Sequence, residues 1–439
     1  MNTRPSAGEA AEDGAAGPAA APGNAWRGGW TQGLTYGGLG LPLAFVALPL
    51  YVILPNYYAS EFGVPLATLG ALLLGARLFD AFTDPIIGRF VDDWFARSVA
   101  IVLGAAAVAA VVLALGFRGL FFPAVGGGDA LLWWAGGLLA LTYLAYSVLT
   151  VAHQSWGARL GGDSAQRARI VSWREGLSLV GVLVASVLPS LAGMSVTTVV
   201  FAVLLSIGLA LLWRAPLPQR SAAGVARPSM LAPLRTPAFR RLLLIYLVNG
   251  VASAVPATLV LFFIRDRLQA PAFEPLFLAS YFAAGALSMP LWVRAVARFG
   301  LARSWLAGML LAIFTFAWAA LLGAGDVVAY TAVCVASGIA LGADLTLPGA
   351  LLAGVIQRAG HGQRLEGAYF GWWNFATKLN LALAAGIALP LLGLFGYAPG
   401  GRDEDALQAL TLAYCLLPCL LKLCAAALLA LLWIRIEKE

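Results

Sequence analysis

The feature that most constrains this chain is the recurrence of apolar runs about twenty residues long, the length a helix needs to cross a bilayer. Short segments in which Arg, Asp, Gly and Pro collect separate them. Runs and breakers predict helices over about 34 to 59, 66 to 91, 98 to 121, 130 to 157, 170 to 193 and 195 to 213. After a polar stretch, six more follow over about 239 to 264, 275 to 297, 302 to 323, 327 to 356, 367 to 395 and 405 to 434. The expected fold class is therefore an all-α membrane protein of twelve transmembrane helices in two six-helix halves, 34–213 and 239–439, joined by a linker over 214–238. Composition agrees: 61% of residues are hydrophobic and 11% charged, against roughly a quarter charged in soluble domains.

Connections rich in Arg lie on the cytoplasmic side of a membrane. Here Arg89 and Arg97, then Arg159, Arg167 and Arg169, then the linker arginines, then Arg294, Arg298 and Arg303, then Arg358 and Arg364 all fall in alternate connections. Both termini and the linker are thus expected in the cytoplasm of a cell with a bacterial-type inner membrane. Residues 1–33, rich in Ala, Gly and Pro, lack the basic start and apolar core of a signal peptide and read as a disordered cytoplasmic tail. The net charge of +7 is spread singly between apolar runs and forms no continuous basic face, so nucleic acid is not an expected partner. The four cysteines form no CxxC, and two distant histidines make neither a metal site nor a triad. No cofactor is expected, and a monomer in the bilayer is.

Ionisable groups inside an apolar helix are costly and mark function by default. Asp80 and Asp84 lie one turn apart on one face of the second helix. Two close carboxylates repel when both are ionised, which raises their affinity for a proton or metal cation. The competing reading makes Arg77, one turn before Asp80, its neutralising partner, and leaves Asp84 to cap the interruption at Pro85. Asp344 falls mid-helix among Gly342, Thr346 and Pro348, either as a ligand for substrate or proton or as the partner of Lys422. Trp372, Trp373 and Asn374 are further candidates for substrate contact, although tryptophans in a membrane protein are mostly anchors and packing.

The segment Ala76-Arg77-Leu78-Phe79-Asp80-Ala81-Phe82-Thr83-Asp84-Pro85-Ile86-Ile87-Gly88-Arg89-Phe90-Val91-Asp92 resembles the ARxxDxxxDPxxGxxxD signature of the glycoside-pentoside-hexuronide:cation symporters. Glu366-Gly367-Ala368-Tyr369-Phe370-Gly371, running through to Lys378, is similar to that family's eleventh helix. The resemblance implies the major facilitator fold, with a substrate site near mid-membrane between the halves, and a secondary transporter working by alternating access. It implies that Ser147 and Thr150 stand where helix-four cation ligands are found, that Lys378 is functional, and that Arg174 sits near a sugar-binding arginine. A snorkelling role for Arg174 and a purely structural ion pair for Lys378 are the alternatives. Gly88, Asp92 and Arg97 resemble the short gating motif that major facilitators carry between helices two and three.

The chain departs from the family in two places. A helix-one Asp corresponds to Ala44, and the helix-four Asp is missing. With fewer hard oxygens, a proton is favoured over sodium as coupling ion. Without both sugar acceptors the cavity is expected to be more apolar, because polyol hydroxyls must replace the hydrogen bonds they leave in water. The expectation is a cation-coupled symporter of a small organic solute, a glycoside by resemblance, with an amphipathic lysolipid-like cargo as alternative. A lipid enzyme would need a clustered nucleophile, base or metal set, and none is visible in the sequence.

Overall fold

The computed structural model describes residues 26–219, 229–397, 400–401 and 403–436. Among these no strand occurs. The helices are α1 (Trp30–Phe62), α2 (Leu66–Arg97), α3 (Val99–Phe121), α4 (Gly128–Arg159), α5 (164–192), α6 (194–213), α7 (Pro237–Arg267), α8 (Pro271–Phe299), α9 (Leu301–Ala319), α10 (Val327–Arg358), α11 (Glu366–Leu394) and α12 (Glu404–Ile434). Ten helical stretches are long and apolar enough to cross a membrane. One of them, fifty residues long, holds both α5 and α6, because Gly193 breaks it at φ 77°, ψ 168°, a conformation open to glycine and costly for any side chain. The twelfth helix, α2, is long enough to span but carries Arg77, Asp80 and Asp84 in its interior.

An even helix count puts the start of α1, the end of α6, the start of α7 and the end of α12 on one side of the bundle, called here the terminal side. The tail boundary needs correcting. Trp26 is buried edge-on to Tyr36 at 6.3 Å, and α1 begins at Trp30. Only residues 1–25 of the expected tail lie outside the described residues, as do 220–228 of the linker.

Within a half, helices pack as α1 on α5, α3 on α4, and α8 and α9 on α10. The halves meet through α2 on α11, α4 on α11, and α5 on α8 and α10. Small residues set the closest of these approaches, as is usual where lipid supplies no hydrophobic drive between helices. A Cβ on Gly88 would strike the Gly367 carbonyl, one on Gly367 the Gly88 carbonyl, and one on Gly371 the Asp84 carbonyl. Gly88→Val is expected to destabilise the purified protein by roughly 1–3 kcal/mol, the usual range for overpacking. A melting temperature no lower than that of Gly104→Val, where a Cβ meets open space, would contradict this.

Candidate functional site

The α2–α11 contact carries Asp80 and Asp84 toward Lys378. The ammonium lies 2.8 Å from Asp80 Oδ1 and 2.6 Å from Asp84 Oδ2, and donates to Ser147 Oγ on α4 at 3.0 Å. Ser147 in turn donates to Asp80 Oδ1 at 2.8 Å. Asp80 and Asp84 are buried, whereas the Lys378 side chain keeps 20% exposure. One cation therefore serves two carboxylates across the boundary between the halves, leaving a net negative charge. Asp84 Oδ1 has no hydrogen-bond partner among the described residues.

Not every residue expected here takes part. Arg77 forms no ion pair with Asp80: its guanidinium stands over the Tyr51 ring at 4.7 Å, where the π-helical turn Pro49–Ile53 of α1 presents that ring. Thr150 Oγ1, three residues beyond Ser147, bonds to neither carboxylate. Asp84 is aimed at Lys378 and so is not spent on capping at Pro85.

In the second half, Asp344 and Lys422 are paired at 2.7 Å. Lys422 also donates to Asn249 Oδ1 (3.0 Å) and Ser253 Oγ (2.9 Å). Asp344 Oδ1 accepts from Asn249 (3.2 Å) and Trp305 Nε1 (2.9 Å), and Oδ2 accepts from Ser253 (3.2 Å). Four helices, α7, α9, α10 and α12, contribute to this set, which sequence spacing alone does not assemble. Arg174 is buried and held by Glu175 at 2.6 Å, so it does not snorkel. Trp373 is buried and stacked on Tyr246 at 3.8 Å; Trp372 donates to the Met230 carbonyl of the linker; Asn374 is buried with Nδ2 unbonded among the described residues. His153 is a buried core group: its Nε2 meets the Tyr36 carbonyl at 2.7 Å, the Tyr36 hydroxyl donates to the His153 carbonyl, and its Nδ1 has no hydrogen-bond partner among the described residues.

On the terminal side a second bridge joins the halves. Asp92 accepts from the backbone N–H groups of Gly367 (2.7 Å) and Ala368 (2.8 Å), the first turn of α11, where helix N–H groups lack internal partners. Arg159, fully buried at the end of α4, lies 3.1 Å from Asp92 and 2.9 Å from Glu366, and donates to the Gln363 carbonyl at 3.0 Å. Glu366 accepts from the Gln363 N–H, and Phe95 lies under the guanidinium. Of the three residues that resemble the gating motif, Gly88 and Asp92 lie at this junction, where the arginine in contact is Arg159, and Arg97 is exposed. Nearby, the His361 ring contacts the Tyr369 hydroxyl at 2.8 Å, which meets Thr236 at 2.9 Å. Partial burial, with Arg364 nearby, holds the His361 imidazole below its usual pKa.

The profile of the family described as "MFS/sugar transport protein" matches residues 34–436. The chain belongs to this family. Among sugar-type MFS carriers it is 26% identical to the glucuronide carrier protein homolog of Escherichia coli over 419 residues, 88% of each chain. It is 24% identical to the putative sulfoquinovose importer of the same organism, over 92% of this chain and 90% of that one. The fold is shared with FucP, the E. coli fucose:proton symporter, whose outward conformation superposes with a TM-score of 0.64 at 13% identity, over 90% of this chain and 98% of that one. This MFS chain is thus a multi-pass membrane transporter of the sugar type and not an enzyme. The alternative of a lysolipid-like cargo is not favoured: the carriers it matches along its length are sugar-type.

Proposed function

We propose that this chain is a cation-coupled symporter of a sugar-type solute, working by alternating access with the terminal side in the cytoplasm of an inner membrane. The observation that carries this reading is Lys378 of α11 shared between Asp80 and Asp84 of α2. A cation that discharges either carboxylate weakens the hold of one half on the other, which is the linkage coupling requires. The donor set of two carboxylates and one hydroxyl is small for a metal ion and sufficient for a proton, so the proton is the proposed coupling ion. Arginine placement supports the orientation. With the Arg159 bridge then on the cytoplasmic side, the described state is closed inward and faces out. The relatives' names, a glucuronide carrier and a sulfoquinovose importer, make sugar acids the first cargo to test.

Membrane vesicles containing the protein are expected to accumulate methyl β-D-glucuronide above the external concentration when an inward proton gradient is imposed without sodium. Accumulation that follows a sodium gradient instead would overturn the choice of ion, and solute equilibration indifferent to both gradients would overturn coupling.

A further inference from the structure

The family's usual sugar acceptors are absent from the first half, where Ala44 replaces one carboxylate and helix four lacks the other. A hydroxylated solute bound between the halves must find acceptors elsewhere. Within α7–α12 the only charged side chains far from helix ends are Asp344, Lys378 and Lys422. Asp344 lies fourteen residues before the end of α10, and Lys378 twelve after the start of α11. At about 1.5 Å per residue, both lie some 20 Å from the terminal side, so the Asp344 set stands level with the Asp80 set.

This second set reaches accessible surface chiefly at Ser253, the Asp344 side chain keeping 12% exposure. Ser253 is exposed although Asn249, Val251, Ala252 and Ala254 around it are buried. It is nine residues from Leu244, an exposed residue of α7 that is 46% accessible; at about 100° per residue that places Ser253 on the opposite side of the helix. Its own side carries Tyr246, stacked on Trp373 of α11, and Gly250, packed against Asn380. Beyond Ser253, Ala257, about 40° away around the helix, is exposed as well. Ser253 is therefore the exposed member of the set, on the α11-facing side of α7.

The hydrogen-bond count defines what Ser253 offers. Its proton goes to Asp344 Oδ2, and one lone pair accepts from Lys422. Each Asp344 oxygen already accepts two donors, and the Lys422 ammonium spends its three protons on Asn249, Ser253 and Asp344. A solute can bond neither. What remains is the second lone pair of a hydroxyl whose proton is drawn toward a carboxylate, an acceptor strengthened by that bond.

We infer that Ser253 is the acceptor for a solute hydroxyl in the second half, with Asp344, Lys422, Asn249 and Trp305 as positioning residues that hold and polarise it. This rests on the sugar-carrier reading and goes past it by naming which side chain replaces the missing acceptors. The charged pair is then no coupling site: it is neutral, satisfied and contained within one half.

Two measurements test this. Ser253→Ala is expected to weaken binding of methyl β-D-glucuronide and of uncharged methyl β-D-glucoside about tenfold alike, the upper end of what a neutral hydrogen bond contributes. Any fluorescence response of the sugar-free protein to a pH step should stay as in wild type, since the substitution leaves the proposed coupling set of Asp80, Asp84 and Lys378 untouched. Second, Ser253→Cys in a chain with Cys334, Cys415, Cys419 and Cys424 replaced by Ala should react with a membrane-impermeant maleimide from the side opposite the termini, and either sugar should slow the reaction. Unchanged affinity in Ser253→Ala, or an unprotected Cys at 253 under saturating sugar, overturns the assignment while leaving the sugar-carrier reading intact. A wild-type protein that binds and accumulates neither sugar overturns that reading, and the subsite with it.

Discussion

Replacing Lys378 with Met is expected to abolish uphill solute accumulation and to destabilise the protein by about 3–5 kcal/mol, the usual cost of removing one partner from a buried ion pair. Here the cost has a specific origin. Asp80 and Asp84 each use the same ammonium, at 2.8 Å and 2.6 Å, and both are buried. Without it, two carboxylates one turn apart face each other with only the Ser147 hydroxyl beside them. The variant can relieve this by keeping a proton permanently on the pair, which removes the release step that coupling needs. Adding Asp80→Asn and Asp84→Asn to Lys378→Met removes every charge of the set and should return the melting temperature toward wild type while accumulation stays absent. Accumulation in that neutral triple variant would show that the three charges are structural only. Stability and coupling separate cleanly in this series because removing a whole buried ionic set is often neutral to stability, whereas removing half of it is not.

Much of this site is legible in the sequence. Asp80, Asp84 and Lys378 stand out because a charge within an apolar run is expensive, and the four-residue spacing of the two acids fixes them on one face. The twelve spans follow for the same reason, and Gly193 separates α5 from α6 at the residue where the fifth run is expected to end. What is not legible depends on rotation and on partners remote in sequence. Arg77 is one turn from Asp80, yet it points to Tyr51 because α1 supplies a ring on that side. Arg159 stands among loop arginines that all serve equally as topology signals, and only the meeting of α4, α2 and α11 singles it out. The missing acceptors near Ala44 suggest an apolar cavity when only one half is counted; the second half's set needs α7, α9, α10 and α12 together, and Ser253 carries no signal of its own.

The Arg159 bridge gives the other large effect. Arg159→Leu leaves Asp92 and Glu366 buried at the α2–α11 junction without their shared cation, again a loss of about 3–5 kcal/mol, but one that falls on the terminal-side-closed state alone. A bias of about 1.4 kcal/mol is tenfold in a conformational equilibrium, so the population should move strongly toward the state in which these ends part. Spin labels at Ala96 and Arg303, exposed residues at the terminal-side ends of the two halves, should report a longer distance in the variant than in wild type. The backbone bonds from Gly367 and Ala368 to Asp92 would still favour closure, so Asp92→Asn added to Arg159→Leu should lengthen the mean distance no less, while relieving the stranded charge. Glu366→Gln in the same background removes the second stranded carboxylate and should recover closure in part. If the label distance in Arg159→Leu matched wild type, the bridge would hold α4 in place without gating anything, and the motif arginine would have to be sought again, beginning with Arg97.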